Sequence, residues 1–329
     1  MTLDKPDISV IIVSFNTCNL LRRCLQTLLK KAGAVQFETI VVDNASKDDS
    51  ADMVEREFPR VILVRSQTNL GFAAANNLAF QQATGEFIVL LNSDAFLTEE
   101  ALSQSLQFMQ ENPNVGVGGA RLIGRDNSWQ PSARMLPSLL NHFLTLSGLA
   151  YKYPKSRFFG RFDRTWANPN VAAEVDWVPG AYSIIRHKVL KQINYFDEKF
   201  FLYYEEVDLC RRIQQANYSI WYLSDVVVVH IGGESSKTLS LGMSDSGSQI
   251  SLWQMRSALI FYYKHYGMLY AWLWLQLEKQ WHRIRYWKNI WSRDPDRQEK
   301  AHYSGEWIKS LNQAWKDTQG GKISPSRPW

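Results

Sequence analysis

The stretch "FFLYYEEVDLCRR", residues 200–212, places Glu205, Glu206 and Asp208 within four positions, an aromatic run before them and an arginine pair after. Aromatic neighbours desolvate a carboxylate and raise its pKa. Such a group suits a general base that takes the proton of an attacking hydroxyl. The plainer reading is that the acids open a helix, where the macrodipole favours negative charge. On a helix beginning near Glu205, that residue and Asp208 share one face and Glu206 points elsewhere. Only some of the three are then catalytic, and the others cap the helix or pair with Arg211 and Arg212. Two further residues carry metal-site chemistry. Asp94 closes the apolar run "EFIVLLNSDA" (86–95), and His230 closes "VVVVH" ahead of a Gly-Gly pair. A carboxylate there can hold Mg²⁺ or Mn²⁺ against a diphosphate, and Mn²⁺ also accepts an imidazole. Such an ion stabilises charge growing on a departing diphosphate. A histidine ending a strand can also be purely structural.

The elements that must position these residues follow from periodicity. Four β-branched apolar runs, 8–16, 37–46, 61–71 and 86–95, alternate with helical patterns near 19–31, 48–58, 73–83 and 98–111. That alternation predicts an α/β unit with a mostly parallel sheet covered on both faces. In such sheets ligands bind beyond the carboxyl ends of the strands. The residues there are Ser14 and Asn16, Asp43 and Asn44, Asn69 and Gly71, then Asn92 and Asp94. These small polar and acidic side chains suit a nucleotide and a metal, although Asp and Asn also form turns and caps. Residues 116–120, "GVGGA", read as a turn, and 121–170 as irregular. Residues 174–190 read as a strand broken by a Pro-Gly turn and leading into a helix, and 219–233 as a strand.

Composition narrows the classes. The 329 residues are 45% hydrophobic and 21% charged, with net charge +5, which is ordinary for a folded globular chain. Three cysteines without a C-x-x-C spacing argue against a disulfide scaffold or zinc ribbon. No G-x-G-x-x-G follows the first strand, and "GGESSKT" (232–238) lacks the glycine before lysine, so dinucleotide and Walker-type sites fall away. The N-terminus does not read as a signal peptide, and no run is long enough for a spanning helix. A cytoplasmic location is expected.

Seven stretches in order, "VSFN", "VVDNASKDDS", "NLGFAAANN", "LLNSDA", "WVPGAYSIIR", "YYEEVDLCRR" and "VVHIGGESS", resemble the inverting family 2 glycosyltransferases of GT-A fold. The likeness covers roughly residues 7–265 and is strongest to the rhamnosyltransferase-like branch that builds bacterial surface polysaccharides. The resemblance implies that Ser14, Asn16 and Asp43 line a base and ribose pocket, continued by Asn69, Gly71 and Asn76 toward the diphosphate. It makes Asp94 the metal-binding acid of a D-x-D element that here reads Asn92-Ser93-Asp94, one acid fewer, with Asn92 on the donor side. His230 approaches the metal or diphosphate. The family's Glu-Asp catalytic element reads Glu205-Glu206 here, which makes Glu206 the base, with Glu205 and Asp208 as alternatives. Trp177 and Gly180 help form the acceptor site, and residues 232–249 form a lid.

The tail is aromatic and basic: nine of thirteen tryptophans lie from Trp253 onward. Trp274, Leu277, Trp281, Ile284, Trp287 and Trp291 recur at three- and four-residue steps, with Lys279, Arg283 and Arg285 largely off that stripe. The stripe predicts either a helix packed on the catalytic domain or an interfacial helix at anionic lipid. Nucleic acid is not an expected partner.

These readings together predict a GT-A nucleotide-sugar-binding α/β domain over 1–250 and a helical, aromatic-rich region over 251–329. The expected reaction moves a sugar from a nucleotide-sugar donor, dTDP-rhamnose first and a UDP-hexose next, with a divalent cation, Mg²⁺ or Mn²⁺. The acceptor is a saccharide, polyprenyl-diphosphate-linked, met at the cytoplasmic face of the inner membrane by a peripheral enzyme. A non-catalytic nucleotide-sugar-binding protein at the membrane is the alternative from another class.

Overall fold

A computed structural model describes residues 5–232 and 246–325, without the side chains of 246–248. The described residues divide into two compact units. The first draws on the chain through Leu136, on Lys155–Asp197 and on the segment from Glu206. The second takes in Pro137–Pro154, Glu198–Glu205 and the C-terminal helices.

The first unit opens with β1 (Ile8–Ser14), α1 (Cys18–Lys31), β2 (Phe37–Asp43), α2 (Ser50–Glu57), β3 (Ile62–Arg65), α3 (Gly71–Phe80) and β4 (Phe87–Leu91). β4 is buried along its whole length and β1 almost so, as expected for strands covered on both faces. Leu21, Cys24, Leu25 and Leu28 form the buried stripe of α1, at the spacing of one helix face. The chain continues through β5 (Ala95–Leu97), α4 (Ala101–Glu111), β6 (Val115–Ile123) and β7 (Trp129–Gln130). After the second unit's α5 (Leu139–Leu146) and α6 (Leu149–Lys152) come β8 (Ala173–Val175), β9 (Tyr182–Arg186), α7 (His187–Gln192), α8 (Glu205–Gln215) and β10 (Ser219–His230).

The strands form one sheet in the order β3-β2-β1-β4-β9-β6-β10-β5, with β7 beside β6 and β8 beside β10. Along that path only β9 and β5 run against the other strands, so the sheet is mixed and mostly parallel. Register sets Ser14 opposite Asp43, and Ile11 opposite Leu90. The strand ends therefore share one edge.

The glycine run expected to turn is instead the interior of β6. Its glycines are there for space: a Cβ on Gly119 would sit 2.3 Å from Val178 Cβ, and one on Gly116 2.5 Å from Ile213 Cγ2. Local sequence marks glycine as a breaker, but close packing across the sheet is the competing use. The third apolar run yields only the four residues of β3, at the sheet edge. The remainder is a loop that carries Asn69.

The helical unit contains α5, α6, α9 (Ser246–Tyr266), α10 (Met268–Asn289) and α11 (Pro295–Asp317). Segment 198–205 is knitted into it: the Ser257 hydroxyl donates to Leu202 O at 2.8 Å, and Phe201 packs on Trp253 at 4.5 Å between ring centres. Glu278 is buried on α10. His142 Nε2 lies 2.8 Å from its Oε1, and Trp307 Nε1–H donates to its Oε2 at 3.3 Å, which ties α5, α10 and α11 together. Among the described residues no helix is long and apolar enough to cross a membrane.

The tryptophan stripe does not lie on one face. The buried residues of α10 are Ala271, Trp274, Leu275, Glu278, His282 and Asn289, whereas Ile284, Trp287 and Trp291 are 65%, 62% and 82% exposed. The reason is arithmetic. Five steps carry Trp274 to Trp291, so the stripe repeats faster than the 3.6-residue turn and rotates by about 100° around the helix.

Candidate active site

Three strand ends and one turn converge in the sheet unit. At β1, Ser14 is fully buried and its hydroxyl lies 2.9 Å from that of Thr17, which in turn donates to Ser93 Oγ at 3.0 Å. The β1 and β4 termini are thereby locked together. Asn16 follows in a left-handed conformation, φ 54°, which asparagine tolerates better than most residues. Its Oδ1 accepts from Lys47 N–H at 2.7 Å, and its own N–H donates to Ser46 Oγ.

At β2, Asp43 is buried, one oxygen accepting from Ser46 N–H at 3.1 Å. Its other oxygen has no hydrogen-bond partner within the protein. A buried acceptor left unmade costs roughly 1–3 kcal/mol, so this oxygen is poised for an external donor such as a base N–H or a ribose hydroxyl. Next to it, Asn44 organises the loop ahead of α3. Its side-chain amide donates to Asn69 Oδ1 at 2.9 Å and its Oδ1 accepts from Leu70 N–H at 2.8 Å. Gly71, at φ 79°, donates its N–H to Asn69 Oδ1. Asn76 is buried and spends its amide on Phe72 O at 2.8 Å.

At β4, Asn92 N–H donates to Ala181 O at 3.1 Å. Asp94 is 4% exposed and begins the turn into β5, which pairs antiparallel with β10 so that His230 stands opposite Ala95. This pairing brings His230 Nε2 to 3.5 Å from Asp94 Oδ1. Gln130 orients the ring. Its amide N–H donates to His230 O at 2.9 Å, which turns its Oε1 toward His230 Nδ1 at 3.0 Å. Nδ1 is thereby set to donate to Gln130, which leaves Nε2 as the ring nitrogen that faces the Asp94 carboxylate. Gln130 comes from a region read as irregular; no local pattern marks it.

The turn is Pro179-Gly180, just before β9. Because β9 runs antiparallel to β4, with Tyr182 opposite Leu91, Gly180 is carried to the same edge. Its N–H donates to Glu206 Oε1 at 3.1 Å. A Cβ at this position would meet that oxygen at 2.7 Å and Phe72 Cζ at 3.3 Å. Glu206 thus lies over bare backbone, with Phe72 of α3 alongside. Burial pushes its carboxyl above the usual carboxylate range, partly opposed by the Gly180 N–H and the Arg134 charge. Arg134 lies over the Trp177 ring, 5.1 Å from its centre, and sits 3.3 Å from Asp163. Trp177 is buried, its indole N–H held by Met135 O at 2.9 Å. Sequence reasoning passed over Arg134 because "QPSARMLPS" offers no spacing signal.

The three acids separate by environment. Asp208 is wholly buried and accepts from Arg212 Nε–H at 2.7 Å, while Arg212 also donates to Ile193 O. Glu205 is buried, and Glu206 is less so. Tyr203 and Tyr204, at φ 68° and 67°, deliver the chain into α8. Two consecutive left-handed tyrosines cost about 1–3 kcal/mol each, offset by packing such as the Tyr204–Phe261 contact at 5.4 Å. Of the lid expected over 232–249, residues 233–245 lie outside the described residues, and 246–249 are the first turn of α9.

Comparisons with known proteins bear on the family and the fold. The family model described as Glycosyl transferase family 2 matches residues 9–193. An N-acetylglucosaminyl-diphospho-decaprenol L-rhamnosyltransferase of Mycobacterium tuberculosis is 25% identical over 232 residues, spanning 67% of this chain and 75% of its own. A low-salt glycan biosynthesis hexosyltransferase, Agl10, of Haloferax volcanii is 24% identical over 68% of this chain and 67% of its own length. The fold also matches a mannosyltransferase of Pyrobaculum calidifontis solved with GDP-mannose and Mn²⁺. That match has TM-score 0.52 at 15% identity, covering 96% of this chain and 88% of the other.

Proposed function

Because the chain belongs to glycosyltransferase family 2, we propose that it transfers rhamnose from dTDP-rhamnose, with inversion, to a hydroxyl of a polyprenyl-diphosphate-linked saccharide. The rhamnose and the lipid-linked acceptor are suggested by the mycobacterial relative, whose name states both. A membrane-borne acceptor calls for a peripheral enzyme at the cytoplasmic face of the inner membrane, where nucleotide sugars are available.

The observation that carries the reading is the pair at the sheet edge. His230 Nε2 and an Asp94 carboxylate oxygen stand 3.5 Å apart, close enough for both to ligate one divalent cation in place of a shared proton. The donor set fits Mn²⁺ or Mg²⁺: one carboxylate and one imidazole whose other nitrogen is held by an outer acceptor, as ligating histidines usually are. Among the described residues no cluster of three or more His, Cys, Asp or Glu forms a metal cage, so diphosphate and water oxygens would complete the shell. When bound, the ion would supply charge neutralisation for the departing nucleotide.

The chain's own residues do the rest. Asp43 and the Asn44–Asn69 loop hold base and ribose, and Asn92 supports the diphosphate end. Glu206 takes the acceptor proton. Its pKa is raised toward working pH by burial, and the Gly180 N–H orients the oxygen that receives the proton. Trp177 offers an apolar wall for the acceptor, with Arg134 fixed against it. Glu205 and Asp208 hold the start of α8.

The test is a thermal-shift panel of dTDP-, UDP- and GDP-sugars, with and without Mn²⁺, on wild type and Asp94→Ala. Stabilisation by dTDP-rhamnose that needs Mn²⁺ and vanishes in the variant is expected. A shift with UDP-sugars alone would replace rhamnose by a hexose. No shift with any donor would return the chain to a non-catalytic role.

A further inference from the structure

The outer face of α10 carries exposed apolar side chains that take no part in the core. Relative to Leu269, a 100° advance per residue puts Trp272, Leu273, Ile284 and Trp287 within about 60° on either side, and Trp291 follows in the turn just past the helix end. The buried residues Ala271, Trp274, Leu275, Glu278 and His282 lie on the opposite side of the helix. All six outer side chains are exposed, from 38% at Leu273 to 82% at Trp291. They form two patches, Leu269–Leu273 and Ile284–Trp291, with Gln276, Gln280 and Arg283 between them on the same arc. Exposed apolar residues scattered singly need no explanation, but grouped ones on one face do.

Charge decides what this face meets. Residues 268–293 contain five Lys and Arg and one acid, Glu278. That acid points inward to His142 and Trp307. Lys279 and Arg285 fold back within the unit, onto Asn312 and the Tyr303 ring. Arg283 is exposed within the same arc, Lys288 is exposed beside it, and Arg293 lies just beyond the helix. A second copy docked across this face would oppose like charges, whereas an anionic lipid surface would neutralise them.

We infer that the outer face of α10 lies flat on an anionic membrane, with Leu269, Leu273, Ile284, Trp287 and Trp291 in the headgroup–acyl boundary and Arg283 and Lys288 on lipid phosphates. Indoles favour that depth because one edge is apolar and the N–H is polar. Each nearby basic residue strengthens binding to anionic lipid about fivefold. The inference deepens the reading of a lipid-linked acceptor: the inner face of α10 builds the unit, and its outer face brings the enzyme to the leaflet.

The experiment is co-sedimentation of the full chain with vesicles of phosphatidylcholine, alone or mixed with phosphatidylglycerol. Wild type is expected to bind the mixed vesicles and to release as salt rises. Trp287→Ser/Trp291→Ser should weaken binding roughly tenfold or more. Arg283→Gln/Lys288→Gln should weaken it about twentyfold on mixed vesicles. Phe158→Ser, at an exposed aromatic of the sheet unit, should bind as wild type, and all melting temperatures should stay unchanged. Wild type failing to sediment with mixed vesicles overturns the inference. So does unaltered binding by both double variants, an equal loss in Phe158→Ser, or conversion of a dimer to monomer by either double variant with vesicle binding intact. Donor-induced thermal shifts, read on the same preparations, keep the outcomes apart. A protein that ignores vesicles yet shifts with a nucleotide sugar loses the docking face and keeps the transferase assignment.

Discussion

Replacing Gly180 by alanine tests the assigned base without touching it. Gly180 lies outside the left-handed region, so its backbone accepts an alanine. The new methyl does not fit beside Glu206: at 2.7 Å from Oε1 and 3.2 Å from Cγ, it is inside ordinary contact distance, about 3.5 Å or more. Phe72 Cζ at 3.3 Å closes the other side, so the carboxylate yields, by roughly 0.5–1 Å. A displacement of that size stretches the 3.1 Å bond from Gly180 N–H past useful length and strains the side chain by about 0.5–1.5 kcal/mol. A 1 Å error at a reacting group costs about a hundredfold in rate. The expectation is therefore kcat lower by about 10- to 100-fold, with donor KM and melting temperature nearly unchanged. The acid limb of kcat/KM should also move to higher pH, because the N–H that lowers the Glu206 pKa is lost. The assay is nucleotide release from dTDP-rhamnose in the presence of acceptor, across pH, for wild type, Gly180→Ala, Glu206→Gln and the double variant. If Glu206 is the base, Gly180→Ala has little further effect once Glu206 is glutamine. A kcat within about threefold of wild type, or full additivity in the double variant, would refute the assignment.

Glu206→Gln should lower kcat by about 10²–10⁴-fold and yet raise the melting temperature at neutral and alkaline pH. The carboxyl has its pKa raised by burial, so its ionised form is disfavoured in the folded state. Wild-type stability is thus highest below the ordinary carboxylate pKa and falls as pH rises through the raised value. The gain from glutamine should shrink on acidification, which melting curves across pH will show. Asn44→Ala leaves Leu70 N–H without its acceptor and Asn69 Oδ1 with the Gly71 N–H alone and should cost about 1–3 kcal/mol in denaturant unfolding, with a higher donor KM. Gly119→Ala drives a methyl to within 2.3 Å of Val178 and should destabilise by about 1–3 kcal/mol with donor affinity unchanged. An unaltered denaturation midpoint would mean that β6 does not need the close approach.

Much of the site was legible because parallel α/β architecture turns order along the chain into place. Runs such as "ISVIIVS" and "FIVLL" are apolar on both faces, which demands a covered sheet, and polar residues at their ends must then collect along one edge. Ser14, Asp43 and Asp94 were placed at that edge from local pattern alone, and Asn69 on the loop that follows β3. What local pattern does not contain is the partner across the sheet. The turning of Gln130 toward His230 depends on where β7 and β10 end, a hundred residues apart in sequence. The glycines of β6 read as a turn because their reason, Val178 and Ile213, lies on other segments. The three acids at 205–208 look equivalent in sequence. Tertiary structure separates them, giving Asp208 to Arg212 and setting Glu206 against the bare Gly180 backbone. In α10 the composition announced an aromatic, basic helix, but a repeat shorter than 3.6 residues cannot stay on one face. Which tryptophans enter the core and which face outward was decided only by packing against α5, α9 and α11.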